Sequence, residues 1–143
     1  MKKLIFGILL ISFIAADSCK KDSKSEVIPK VYVDELLYLN EPQYVSLNTI
    51  NNWTYVGGGN RGIIVYRKTS SDFIALDRTC TYDPDNSTAY VQVQSNNITA
   101  IDSTCGSKFQ IFDGSVTHGP ATRSLVQYHA DYDASANTLH IYN

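Results

Sequence analysis

Two cysteines in polar stretches carry the chemistry this chain could do. Cys80 sits in Arg78-Thr79-Cys80-Thr81-Tyr82-Asp83-Pro84, and Cys105 in Asp102-Ser103-Thr104-Cys105-Gly106-Ser107-Lys108-Phe109. Paired sulfurs either join as a disulfide or serve as two ligands of something else. His118, His129 and His140 are scattered, with none two or four positions from another, so they form no local metal motif. No Ser/His/Asp or Cys/His order suggests a nucleophile, and no catalytic residue is expected. The run from Gly57 to Gly62 fits the spacing G-x-G-x-x-G, but Ile63-Ile64-Val65-Tyr66 follows it. A dinucleotide fingerprint needs a helix there, its N-terminus facing the pyrophosphate. The glycines read instead as a hairpin connection with positive φ, and no nucleotide is expected. Asn52, Asn86 and Asn97 begin Asn-x-Thr triplets, which read as turn asparagines.

The elements that must position these residues are strands. After residue 30 no stretch of useful length has a helical period; short segments rich in Val, Ile, Tyr and Thr alternate with turn residues. Strands are predicted at 44–47, 53–56, 63–66, 73–76, 90–94, 98–101, 109–112, 125–132 and 139–142. In Tyr90-Val91-Gln92-Val93-Gln94 the alternation is clean, one face apolar and the other wet. The expected class is all-β, with small antiparallel sheets around one core. At 143 residues the chain has room for one domain.

The first residues follow another logic. Lys2 and Lys3 precede an apolar run, 4–16, that is too short to span a bilayer comfortably and has the length of a secretory core segment. The following Ala16-Asp17-Ser18-Cys19 resembles the lipobox of bacterial lipoproteins, with Asp17 as a departure. That resemblance implies a signal peptide over 1–18, a diacylglycerol anchor on Cys19, and placement in the bacterial cell envelope. Lys20 after Cys19 favours the outer membrane by the same resemblance. Residues 19–29 are polar and charged and read as a tether. The net charge of −2 and the lack of a basic cluster in the body argue against nucleic acid as a partner. With Cys19 lipidated, Cys80 and Cys105 remain as an even pair in an oxidising compartment.

The two cysteine segments have companions: Phe112-Asp113-Gly114-Ser115-Val116 and Gly119-Pro120-Ala121-Thr122-Arg123-Ser124-Leu125. In this order the four segments resemble the cluster-binding loops and proline loop of the Rieske family. There a first loop carries C-x-H, and a second carries C-x-x-H followed by Gly-Ser and an aromatic. A Gly-Pro-Ala loop closes over the cluster. The resemblance covers the second half of the chain, and it implies a Rieske-like domain over 30–143 with a cluster-type loop subdomain.

Its departures carry the functional reading. Cys80 occupies the first cysteine position, but Tyr82 stands at the first histidine, Asp102 at the second cysteine and Cys105 at the second histidine. A Rieske centre holds one iron with two thiolates and the other with two imidazoles; here a single ligand is retained in kind. The resemblance therefore implies loops that have lost their two-iron two-sulfur cluster, with no cofactor and no metal, stapled instead by a Cys80–Cys105 disulfide. A mononuclear metal on Cys80, Cys105 and Asp102 or His118 ranks below even an intact cluster, because closed structural zinc sites are normally richer in Cys and His. Phe109, Ile111 and Val116 read as core, Asp113-Gly114 as a hairpin turn, and Arg123 as a solvated or loop-bracing side chain. The expected function is a membrane-anchored, non-catalytic binding or scaffold module for an unidentified envelope protein. The alternative is an electron-transfer protein with an atypical cluster or a redox-active Cys80–Cys105 pair.

Overall fold

The computed structural model describes residues 28–143; the expected signal peptide and Cys19 lie outside the described residues. Among the described residues, ten strands form two antiparallel sheets. They are β1 (Asp34–Tyr38), β2 (Trp53–Val56), β3 (Ile63–Arg67), β4 (Phe73–Asp77), β5 (Val91–Val93), β6 (Thr99–Asp102), β7 (Lys108–Gln110), β8 (Val116–His118), β9 (Gln127–Asp133) and β10 (Thr138–Tyr142). The larger sheet runs β1-β10-β9-β4-β3-β2, and the smaller runs β5-β6-β7-β8. No helix among the described residues is long and apolar enough to cross a membrane.

Beta-strand periodicity explains how the two sheets share one wall. Successive side chains of a strand point to opposite faces, and every residue of β3 is buried. Ile63 and Val65 enter one core with Leu37, Leu47, Ala75, Leu139 and Ile141. Ile64 and Tyr66 enter a second core with Leu76, Val91, Ala100, Phe109 and Ile111. The continuous apolar run is thus a central strand covered on both sides.

The small sheet is an insertion between two neighbours of the large one. The chain leaves β4 at Asp77, builds β5–β8, and returns as β9, which pairs with β4 through Ala75–Tyr128 and Leu76–Gln127. The Asp77 N–H donates to the Val126 carbonyl at 2.8 Å and closes the neck. Departing and returning chains therefore lie side by side, which brings the first cysteine loop next to the proline loop.

The predicted strand at 44–47 is instead a 3₁₀ turn, Val45–Asn48. Consecutive i→i+3 bonds, Tyr44 N–H to Glu41 carbonyl and Leu47 N–H to Tyr44 carbonyl, hold it. In that turn only Leu47 is buried, so no alternating face is required of the segment. Beta1 and β8 went unpredicted. The Gly-rich run lies between β2 and β3, with positive φ at Gly58, Gly59 and Gly62 and strand following directly.

Candidate functional site

Three loops meet at one end of the small sheet. Cys80 follows β4 and is held by its N–H donating to the Ala89 carbonyl at 3.0 Å, next to the Thr79–Tyr90 bridge. Cys105 lies in the β6–β7 turn, whose geometry comes from Gly106 at φ +81 and its N–H donating to the Asp102 carbonyl at 2.7 Å. A Cβ at Gly106 would meet open space, so the glycine is there for its backbone angle. The third loop begins at the cis Gly119–Pro120 bond and continues through Ala121.

Cys80, Asp102 and Cys105 present their ligating atoms within 4.8 Å of one another. The two sulfurs stand 3.5 Å apart as free thiols, in contact and not covalently joined. Cys80 is fully buried and Cys105 half-buried. Asp102 is fully buried and doubly engaged: Oδ1 accepts the Thr104 N–H at 2.8 Å, and Oδ2 accepts the Cys105 thiol at 3.2 Å. Cys105 also lies 3.0 Å from Ser107 Oγ and receives the Ser107 N–H at 3.4 Å. Burial, then the Asp102 carboxylate as acceptor, push the Cys80 thiol far above the ordinary thiol range; the Tyr82 N–H donating to its sulfur works the other way.

The proline loop is tied down by two bonds. The Ala121 N–H donates to Ser107 Oγ at 2.9 Å, joining the third loop to the second. The Thr81 hydroxyl donates to the Arg123 carbonyl and joins the third loop to the first. The loop brace thus uses the Arg123 backbone, while its side chain is exposed. Thr81, Arg123, Ser124 and Tyr128 also help line an open hollow of about 650 Å³.

Of the expected positions, the structure brings Cys80, Asp102 and Cys105 together. Tyr82 reaches Cys80 through its backbone N–H, and the residue is 39% exposed. His118 is exposed on β8 and does not belong to the group of three. Phe109 and Ile111 are fully buried and Val116 packs against them, as expected of core residues.

Sequence reasoning missed Ser107, whose hydroxyl sits under the proline loop, and the support beneath Cys80. Asp77 is fully buried at the end of β4 and accepts from the Asn60 N–H at 2.7 Å, the Thr79 N–H at 2.7 Å and the Tyr128 hydroxyl at 2.6 Å. The Gly-rich run thus supplies a backbone donor that fixes the root of the first cysteine loop. An acidic residue closing an otherwise apolar strand, Phe73-Ile74-Ala75-Leu76-Asp77, was the available signal.

No family model matches the chain, and no curated protein matches it in sequence. Solved structures do resemble it. The plasma-membrane Rieske protein PetC3 of the cyanobacterium Synechocystis PCC 6803 is 21% identical, over 64% of this chain and 86% of that one, with a TM-score of 0.52. A chain in the complex of reduced oxygenase and oxidized ferredoxin in carbazole 1,9a-dioxygenase is 15% identical, over 80% of this chain and 94% of that one, with a TM-score of 0.49. The fold is Rieske-like, all-β with curled antiparallel sheets.

Proposed function

We propose that this Rieske-type domain has lost its iron–sulfur cluster and works as a non-catalytic binding or scaffold module, tethered to the bacterial envelope through lipidated Cys19. The observation that carries the reading is the 3.5 Å contact between Cys80 and Cys105. In a Rieske centre these two positions serve opposite irons, and a sulfide-bridged pair of irons holds such ligands apart. Donor chemistry points the same way, since a carboxylate at Asp102 and a thiol at Cys105 replace the second thiolate and its imidazole partner. The residues present therefore do not fit a two-iron two-sulfur cluster. In the envelope the pair closes as a disulfide and braces the loops.

Metal and thiol analysis of the aerobically purified full chain tests this. The expected sample is colourless, free of iron and acid-labile sulfide, with no titratable thiol at Cys80 or Cys105. Two irons and two sulfides per chain would overturn it. Membrane attachment is tested separately: Cys19→Ala is expected to release the protein from the membrane fraction.

A second reading is favoured by the asymmetry of the pair. Cys105 is partly exposed beside a carboxylate, whereas Cys80 is fully buried. That is the arrangement of an entry sulfur and a resolving sulfur. A dithiol reductant would attack Cys105, release Cys80 as a thiol, and leave as a disulfide after its second sulfur displaces Cys105. A reduction potential near the poise of the envelope, in place of a deeply reducing one, would select this reading.

A further inference from the structure

We propose that in its dithiol state the Cys80–Asp102–Cys105 group is a mononuclear site for a thiophilic divalent cation such as zinc, with one coordination position open to solvent. The inference rests on the reading that the cluster is gone, since both would use the same loops. Its first support is spacing. Tetrahedral zinc with Zn–S of about 2.3 Å and Zn–O of about 2.1 Å places two thiolates about 3.8 Å apart and a thiolate and a carboxylate oxygen about 3.6 Å apart. The corresponding separations are 3.5 Å for Cys80–Cys105 and 3.2 Å for Cys105–Asp102 Oδ2. These two separations lie within a few tenths of an ångström of the tetrahedral values, and the third, Cys80 to Asp102, is within 4.8 Å.

The second support is the shell around these atoms. Thr104 N–H holds Asp102 Oδ1, which leaves Oδ2 facing the sulfurs. Ser107 N–H points at Cys105 Sγ, and Tyr82 N–H at Cys80 Sγ. Backbone donors aimed at sulfur are what a metal-bound thiolate needs, and such partners orient and tune the ligands. The fourth position falls on the Cys105 side, because Cys80 and Asp102 are fully buried. Binding replaces the two thiol protons, which leave to solvent, and two thiolates with one carboxylate around the dication leave a net charge of −1. Metal and disulfide exclude each other, so an occupied site protects both sulfurs from oxidation.

The test uses the full chain in detergent, reduced with a phosphine and freed of metal, with cobalt(II) as the probe. One cobalt per chain is expected, with an intense thiolate-to-cobalt band in the near ultraviolet that zinc bleaches. Zinc should also slow alkylation of both cysteines. Cys105→Ser, at the less buried of the two sulfurs, should abolish the band while circular dichroism stays native, and Asp102→Asn should weaken binding at least about tenfold. A reduced, folded, iron-free chain that gives no such band, or a band that survives Cys105→Ser, overturns this site and leaves the proposed function standing. Uptake of two irons and two sulfides on reconstitution overturns both.

Discussion

Tyr128 donates its hydroxyl to the buried carboxylate of Asp77 at 2.6 Å, across 51 residues of sequence. The bond joins β9, where the chain re-enters the large sheet, to the last residue of β4, where it leaves. Asp77 Oδ1 in turn holds the Thr79 N–H, one residue before Cys80. The position of the first sulfur is therefore set by a polar contact inside the large sheet as well as by packing in the small one.

Removing that hydroxyl should cost more than an ordinary hydrogen bond, because the acceptor is a buried carboxylate. Tyr128→Phe is expected to lower stability by about 1.5 to 3 kcal/mol, read from urea midpoints at neutral pH. A loss below half a kilocalorie would mean that the Asn60 and Thr79 donors satisfy Asp77 alone.

The same residue gives a pH dependence of known sign. Burial first, then Asp77, raise the Tyr128 pKa well above its ordinary value. Below about pH 10 both folded and unfolded chains carry the phenolic proton, and this stability is fully present. Above it the unfolded chain loses the proton while the folded chain keeps it, so stability falls as pH rises. Tyr32 and Tyr142 are shifted the same way at the exposed surface and are common to both proteins. Tyr128→Phe should therefore destabilise the protein less at about pH 11 than at pH 7; an equal loss at both would contradict the assignment.

Gly59 and Gly57 offer a contrast within one loop. A Cβ on Gly59 would lie 2.6 Å from Asp77 Oδ2, and its φ is +63, whereas a Cβ on Gly57 would meet nothing within 4 Å. Gly59→Ala is expected to cost at least about 2 kcal/mol, from backbone strain plus displacement of a buried carboxylate. Gly57→Ala should stay within about 0.5 kcal/mol. Comparable midpoints for the two variants would show that the loop relaxes freely.

The sequence made legible those features that depend on local pattern. Residues 63–66 read as a buried strand because Ile-Ile-Val-Tyr is apolar on both faces, and β3 is in fact covered on both. The segment 44–47 has strand-like composition, yet backbone bonds from Glu41 and Tyr44 curl it into a turn. Beta1 went unnoticed because Asp34-Glu35-Leu36-Leu37-Tyr38 lacks a clean alternation, and its pairing with β10 joins residues about a hundred positions apart. At the site, Cys80, Asp102 and Cys105 were found through motif order. The Ser107–Ala121 and Asp77–Tyr128 bonds were not, since each joins distant segments whose types are ordinary in any loop or strand.

The Cys80–Cys105 pair makes a prediction about oxidation. The segment it would close spans 25 residues, and cross-linking a loop of that size contributes about 3 to 4 kcal/mol on the chain-entropy model, less any strain. The oxidised chain should therefore exceed Cys105→Ser in stability by about that amount, and a reducing agent should abolish most of the gap. A gap unchanged by reduction would assign the cost of the substitution to lost packing around Cys105.

Ser107 separates the bracing of the loops from the chemistry of the sulfurs. Its hydroxyl is fully buried, accepts the Ala121 N–H at 2.9 Å and lies 3.0 Å from Cys105 Sγ. Ser107→Ala strands a buried N–H, at an expected cost of about 1 to 3 kcal/mol, and removes the bond between the proline loop and the second cysteine loop. Cys105 keeps its contacts with Cys80, Asp102 and the Ser107 N–H, none of which needs the hydroxyl. If the proline loop is what limits access, alkylation of reduced Cys105 should accelerate severalfold in the variant, while Cys80, enclosed by Ala89, Phe109 and the rest of the second core, stays slow. Equal acceleration at both cysteines would mean that the small sheet opens as a whole, and that the proline loop is no separate cover.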